Sequence, residues 1–145
     1  MILQTDPSLP EEIHTFGCYF TSLLYHAEKR LKRDVKSDEV LSIFKAAKQT
    51  GIIGKDCLVQ DPVALLHIVG VRVGSVVKAG PLVVPSAIGF EILHFHRDAD
   101  TPKGQGNSVH DHFVAGDGTG KVIFDPLGKS NTVKYGHLQD KRIFS

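Results

Sequence analysis

Apolar residues recur at intervals of three and four along one stretch of the chain: Tyr19, Phe20, Leu23, Leu24, Ala27 and Leu31. That spacing predicts an amphipathic helix starting near Gly17-Cys18. Its last turn carries Lys29, Arg30, Lys32 and Arg33, cations that complement the negative end of the helix dipole. A second helix is expected with Ser37 as N-cap, Asp38 and Glu39 in its first turn, a buried stripe of Val40, Leu41, Ile43, Phe44 and Ala47, and Gly51 as its stop. Asp61-Pro62 opens a third, shorter helix that ends at Gly70. After Gly70 the period falls to two. Val71-Arg72-Val73 is a short alternating run, and residues 90–96 alternate with Ile92, His94 and His96 on one face. Residues 109–115 and 121–124 read as strands joined by the hairpin loop Gly116-Asp117-Gly118-Thr119-Gly120, and Lys141-Arg142-Ile143-Phe144 as a last strand. Residues 101–107 read as a loop. Helices first and strands second imply an α+β fold, with N-terminal helices packed on an antiparallel sheet from the C-terminal half.

Composition narrows the function classes. A chain of 145 residues fits one domain over 1–145, and 41% hydrophobic with 23% charged residues is ordinary globular usage. A formal charge of +1 supplies no electrostatic footprint for nucleic acid. No run approaches the ~20 apolar residues of a membrane span. Asp6, Glu11 and Glu12 fall where a signal or transit peptide would need apolar or basic residues. With only two cysteines the chain has no disulfide scaffold, which suits a reducing compartment, so a cytoplasmic location without a membrane partner is expected.

Cys18 opens the first predicted helix directly after a glycine. Helix N-termini favour a thiolate, and their free N–H groups, including that of Cys18 itself, suit an oxyanion. A nucleophilic cysteine needs a base, and the base needs an orienting group. His110-Asp111-His112-Phe113-Val114-Ala115 brings a histidine into an apolar strand. Asp125-Pro126 follows at the end of the next strand, where a hairpin would bring the Asp125 carboxylate opposite His112. Cys18, His112 and Asp125 are therefore the candidate nucleophile, base and orienter. Cys57, with no helix start or basic neighbour of its own, reads as structural. The glycines from 116 to 120 read as a hairpin, since no phosphate-loop Lys-Ser/Thr follows.

Gly17-Cys18-Tyr19-Phe20-Thr21-Ser22-Leu23 resembles the cysteine helix of papain-like cysteine peptidases, closest to the peptidases that process double-glycine bacteriocin leaders. His112-Phe113-Val114 with Phe124-Asp125-Pro126 is similar to that group's histidine and aspartate motifs. The resemblance implies a papain-like fold and a thiol-dependent hydrolase, peptidase or amidase, acting on a peptide or protein substrate without a cofactor. The pattern also has a glutamine about six residues before the cysteine, a donor to the oxyanion. Here that tract is Glu12-Ile13-His14, and the nearest glutamine is Gln4, so His14 is the candidate replacement donor. The whole chain further resembles a family of small uncharacterised bacterial and phage-associated proteins.

Two other readings stand beside this one. The same fold without catalysis would be a binding or inhibitor protein, which the absent glutamine favours. Alternatively, His94-Phe95-His96 and His110-Asp111-His112 are two His-x-His pairs that on adjacent strands would present imidazoles to a metal ion, with Asp111 or Asp125 as carboxylate ligand. In a third role, His94 and His96 would line a substrate groove beside the thiol.

Overall fold

The computed structural model describes residues 1–98 and 111–145. Along the chain run α1 (Glu11–Phe16), α2 (Cys18–Leu31), α3 (Ser37–Gln49), a 3-10 turn (Lys55–Cys57) and α4 (Pro62–Val69). Then come β1 (Val76–Ala79), β2 (Phe90–His96), β3 (Asp111–Gly116), β4 (Val122–Phe124), α5 (Asn131–Tyr135) and β5 (His137–Phe144). The strands form one antiparallel sheet in the order β1-β5-β2-β3-β4. The architecture is the expected α+β. The last strand therefore lies between β1 and β2; β1 pairs only its residues 141–144, and pairing with β2 carries it four residues upstream of that predicted run.

Burial of the α2 stripe organises the core. Phe20, Leu23, Leu24 and Ala27 are fully buried among Phe44 of α3, Leu65 and Leu66 of α4, and Phe90, Ile92 and Phe144 of the sheet. Phe20 meets Phe44 at 5.9 Å between ring centroids, and Phe90 stacks on Phe144 at 4.7 Å. Each such side chain contributes about 1.5–3 kcal/mol through removal from water. The Ser22 hydroxyl donates to the Phe113 carbonyl (3.3 Å), tying the start of α2 to β3.

The departures from expectation are local. Ser37 is the first residue of α3, and Lys36 occupies the N-cap position. Val71-Arg72-Val73 forms no strand, because Val71 is buried in the helical core. The edge strand starts at Val76, after Gly74 and Ser75 donate to the Ser145 carbonyl and set its register against β5. The helices α1 and α5 were not expected, since five or six residues hold too little of the helical period to show one. Their terminal signals are nonetheless present: Pro10 with Glu11 and Glu12 begins α1, and the Ser130 hydroxyl accepts from the Val133 amide to cap α5. His110 and the predicted loop 101–107 lie outside the described residues.

His26 is a buried titratable group within this packing. Its Nε2 donates to the Glu91 carbonyl (2.8 Å), and its ring stacks on Phe90 at 4.4 Å. Burial holds its pKa down to about 4, against the smaller raising effect of the Glu91 hydrogen bond. Between about pH 6.5 and 4 the unfolded chain therefore binds a proton that the folded chain refuses. Stability is full above that window and falls as pH drops through it, by about 3 kcal/mol at 1.36 kcal/mol per pKa unit. Denaturant melts at pH 7 and pH 4.5 measure this. His26→Asn is expected to flatten the difference while lowering stability at both values.

Candidate active site

The site begins at a break between two helices. The backbone turns at Gly17, where a side chain would place Cβ 2.4 Å from the Ile13 carbonyl oxygen, so glycine is required. The Gly17 amide donates to that same oxygen (2.8 Å), while the buried Gln4 side-chain amide donates to the carbonyls of His14 (2.9 Å) and Ile13 (3.4 Å). The carbonyls of Ile13 and His14 in α1 are thus satisfied. Cys18 begins α2, half-buried, and the first-turn N–H groups beside its sulfur lack intrahelical acceptors.

His112 comes to this helix start from β3, and it is 1% exposed. Its Nε2 donates to Asp125 Oδ1 at 2.7 Å, which leaves Nδ1 for a second partner. Cys18 is close enough to the ring for its hydrogen bonding and charge to raise the His112 pKa. Burial pushes the His112 pKa down. The hydrogen bonds with Asp125 and Cys18 and the charges behind them push harder in the other direction, and the net value is about 9. Burial likewise raises Asp125, but the His112 contact and the Leu127 amide (2.9 Å to Oδ1) outweigh it and hold the carboxyl ionised below its usual range. Asp125 follows β4 directly and is locked by a turn in which Gly128 donates to its carbonyl. Residues separated by up to 107 positions are therefore brought together: His112 bonds Asp125, and Cys18 lies close enough to act on the same ring.

Cys18 opens onto a cleft of about 400 Å³ walled by Phe16, Tyr19, Leu58, Val59, Phe113 and Arg142. Cys57 lines it too, and burial, with the charge of Glu12 and then that of Cys18, pushes its thiol up to about 12, the value of an unreactive sulfur. Tyr19 packs against Phe113 at 5.0 Å. A larger cleft of about 600 Å³ beyond Asp125 touches neither Cys18 nor His112.

Glu12, in the tract where the peptidase pattern has glutamine, supports the cleft wall. Its Oε2 accepts from Lys48 Nζ and from the Cys57 amide, both at 2.8 Å. These bonds brace a 3-10 turn in which Asp56 (φ 56°) and Cys57 (φ 52°) both take the left-handed conformation that non-glycine residues avoid. His14 is not brought to the sulfur. Its Nε2 donates to the Asp6 carbonyl (2.7 Å) and its Nδ1 to Glu11 (3.2 Å), so both ring nitrogens serve the N-terminal segment.

The histidine strand divides by register. His94 pairs with Phe113 and His96 with Asp111, so these four share one face, and alternation sends His112 to the other. On the first face His94 Nε2 lies 2.8 Å from an Asp111 carboxylate oxygen and its Nδ1 3.1 Å from one of Asp140, while His96 Nδ1 donates to Asp111 (2.9 Å). Among the described residues no group of three or more His, Cys, Asp or Glu side chains is arranged to hold a metal ion. His94 and His96 thus face away from His112, so these three do not converge on one ion, and His110, the fourth histidine of the metal reading, lies outside the described residues. Asp140, Arg142 and Glu12 were missed. The sequence marks the first two only by alternation within β5, and Glu12 by its tract ahead of Cys18.

No helix among the described residues is long and apolar enough to cross a membrane. A family profile described as a protein of unknown function, DUF261, matches residues 1–145. No curated protein and no solved structure matches the chain.

Proposed function

The chain belongs to the DUF261 family, and from that starting point we propose that it is a thiol-dependent hydrolase of amide bonds, a peptidase or amidase with a papain-like arrangement. Cys18 is the nucleophile, His112 the general base and acid, and Asp125 the orienting group. The single observation that carries this reading is the buried His112 ring, bonded to Asp125 at 2.7 Å and raised in pKa by Asp125 and Cys18 together. A histidine with a pKa of about 9 holds its proton at neutral pH and has it to give to a leaving group. The resemblance of the Cys18 helix and of the His112 and Asp125 motifs to papain-like peptidases adds support.

The chemistry follows from these positions. The Cys18 sulfur attacks the carbonyl carbon, and the carbonyl oxygen becomes an oxyanion beside the free N–H groups of the first turn of α2. His112 passes its proton to the departing amine nitrogen as the C–N bond breaks, leaving a thioester on Cys18. His112, now neutral, takes a proton from water, and the resulting attack cleaves the thioester and restores the thiolate with the protonated imidazole. The tract that holds glutamine in the peptidase pattern holds Glu12 here. Its carboxylate accepts hydrogen bonds, so the helix amides carry the oxyanion alone.

The test uses the two cysteines against each other. Mass-mapped iodoacetamide labelling of the native chain at pH 7 is expected to modify Cys18 at least tenfold faster than a free thiol and to leave Cys57 unmodified. His112→Ala is expected to remove that excess. If Cys18 reacts no faster than a free thiol, and the His112 change alters nothing, the hydrolase reading fails. The substitution of glutamine by glutamate favours a second reading, a binding protein that retains the fold without turnover. Under that reading Cys18→Ser keeps the biological effect.

A further inference from the structure

We propose that Arg142 makes the Cys18 cleft selective for substrates that carry a carboxylate beside a bulky apolar group, a role that rests on the hydrolase reading of Cys18. The lining of the cleft is largely apolar and its rim is open to solvent. Phe16 is 47% exposed and Leu58 61%, and Tyr19, Val59 and Phe113 line the cleft with them. Aromatic and aliphatic walls beside a nucleophile suit a bulky apolar group, and the few polar side chains among them set which group is accepted.

Two charged residues share this lining, Arg142 and Asp56. Asp56 is exposed on its 3-10 turn, whereas the Arg142 side chain is 24% exposed and its guanidinium lies over the Phe113 ring at 5.5 Å. A cation partly withdrawn from water attracts an anion more strongly than one in bulk solvent. Tyr19, next to Cys18, meets Phe113, next to His112, at 5.0 Å between ring centroids, and Arg142 covers that same Phe113. The charge of Arg142 is felt at Tyr19 as well. It lowers the hydroxyl pKa there against the larger raising effect of burial, for a net value of about 12.

Arg142 is held in place yet keeps donors for a ligand. Among the described residues its guanidinium hydrogen bonds all run through Nη1, to Asp140 (2.5 Å) and to the Lys141 carbonyl (3.5 Å). The Asp140 carboxylate is itself divided, with His94 Nδ1 at 3.1 Å and Lys78 Nζ at 3.7 Å. It fixes the guanidinium without neutralising it alone. Nε and Nη2 form the edge that meets a carboxylate at two points, a contact that arginine makes and lysine does not. Such a carboxylate has two sources, the end of a peptide chain or an acidic side chain.

Cys18 serves as the reporter, through paired alkylating probes. N-Bromoacetyl-phenylalanine against its carboxamide presents a chain-end carboxylate. The N-bromoacetyl-phenylalanyl dipeptide amides ending in glutamate and in glutamine present a side-chain one. Mass-mapped rates at Cys18 are divided by those with free cysteine, which removes the intrinsic difference between probes. In the native chain at least one pair is expected to favour the acid by about tenfold, as a charge-assisted hydrogen bond supplies, and the pair that does so names the source. Arg142→Gln is expected to bring that ratio to about one, and Arg142→Lys to restore only part of it, because lysine keeps the charge and loses the fork. A merely structural Arg142 would move both members of a pair together. A ratio that Arg142→Gln leaves intact therefore overturns the proposal, as does the absence of an acid preference in both native pairs. The ratio needs no turnover, so the two readings fail separately. Iodoacetamide labelling no faster than a free thiol removes the hydrolase, while fast labelling without an acid preference removes only the role of Arg142.

Discussion

Asp125→Asn is expected to move the His112 titration from about 9 toward the ordinary histidine value of 6.5 and to abolish most turnover. The carboxylate does two things at once. It holds Nε2–H, which fixes the ring and leaves Nδ1 free for a second partner, and its charge stabilises the imidazolium. Asparagine keeps the shape and loses the charge, and an amide nitrogen facing the ring would force the wrong tautomer. Losses of about 10⁴ in rate accompany that change in catalytic triads. NMR titration of the His112 ring reads the midpoint directly, and the alkylation rate of Cys18 at pH 7 reads the consequence. The sign of the pH dependence follows. Below about 9 the native ring keeps the proton that the leaving amine requires, so turnover falls as pH rises through 9. In the variant that limb moves toward neutrality. A midpoint that stays near 9 in Asp125→Asn would show that the carboxylate is not the cause.

The second large effect lies away from the thiol. Glu91 and Lys141 are essentially unexposed and form an ion pair at 2.7 Å. Glu91 Oε1 also accepts from the amides of Gly118 (2.9 Å) and Gly120 (2.8 Å), and Lys141 holds the Val83 carbonyl. One buried pair thus pins the β3–β4 hairpin and the apolar loop of residues 80–89 to the middle of the sheet. The fit is tight, since a Cβ at Gly116 would lie 2.6 Å from Glu91 Oε1. Removing one partner leaves a charge in the interior with no water, so Glu91→Ala is expected to cost about 3–5 kcal/mol. For a chain of this length that corresponds to a fall of roughly 10 °C or more in thermal midpoint. Lys141→Met alone is expected to be similarly harmful. The double change Glu91→Leu with Lys141→Met is expected to recover part of the loss, because two apolar groups leave no orphaned charge. Calorimetry on the three variants decides it, and additive losses would exclude the pairing as the cause.

These two arrangements were unequally legible. The thiol site could be anticipated because each member carries a local mark. Cys18 stands between a glycine and an amphipathic stripe, His112 enters an apolar strand, and Asp125 precedes proline one hairpin later. The hairpin supplies the contact between the last two, since adjacent antiparallel strands joined by a short loop must bring their ends together. The Glu91–Lys141 pair has no such mark. Its members are 50 positions apart on strands β2 and β5, and nothing in the order of residues says that the last strand inserts beside β2. The same insertion brings Asp140 to His94 and Arg142 to the thiol cleft.

By itself, the pattern of residues determined the main helices, the pairing of the hairpin, the class of the fold and the three side chains proposed to act together, because each depends on periodicity or on neighbours close in the chain. Only the tertiary structure decided which face of β3 each histidine takes, that Glu12 braces the cleft, that His14 turns away from the sulfur, and that a buried ion pair holds the loop of residues 80–89. Those outcomes depend on register and on contacts between distant strands. A shift of one residue reverses every side chain on a strand, and no short-range signal sets which strands become neighbours.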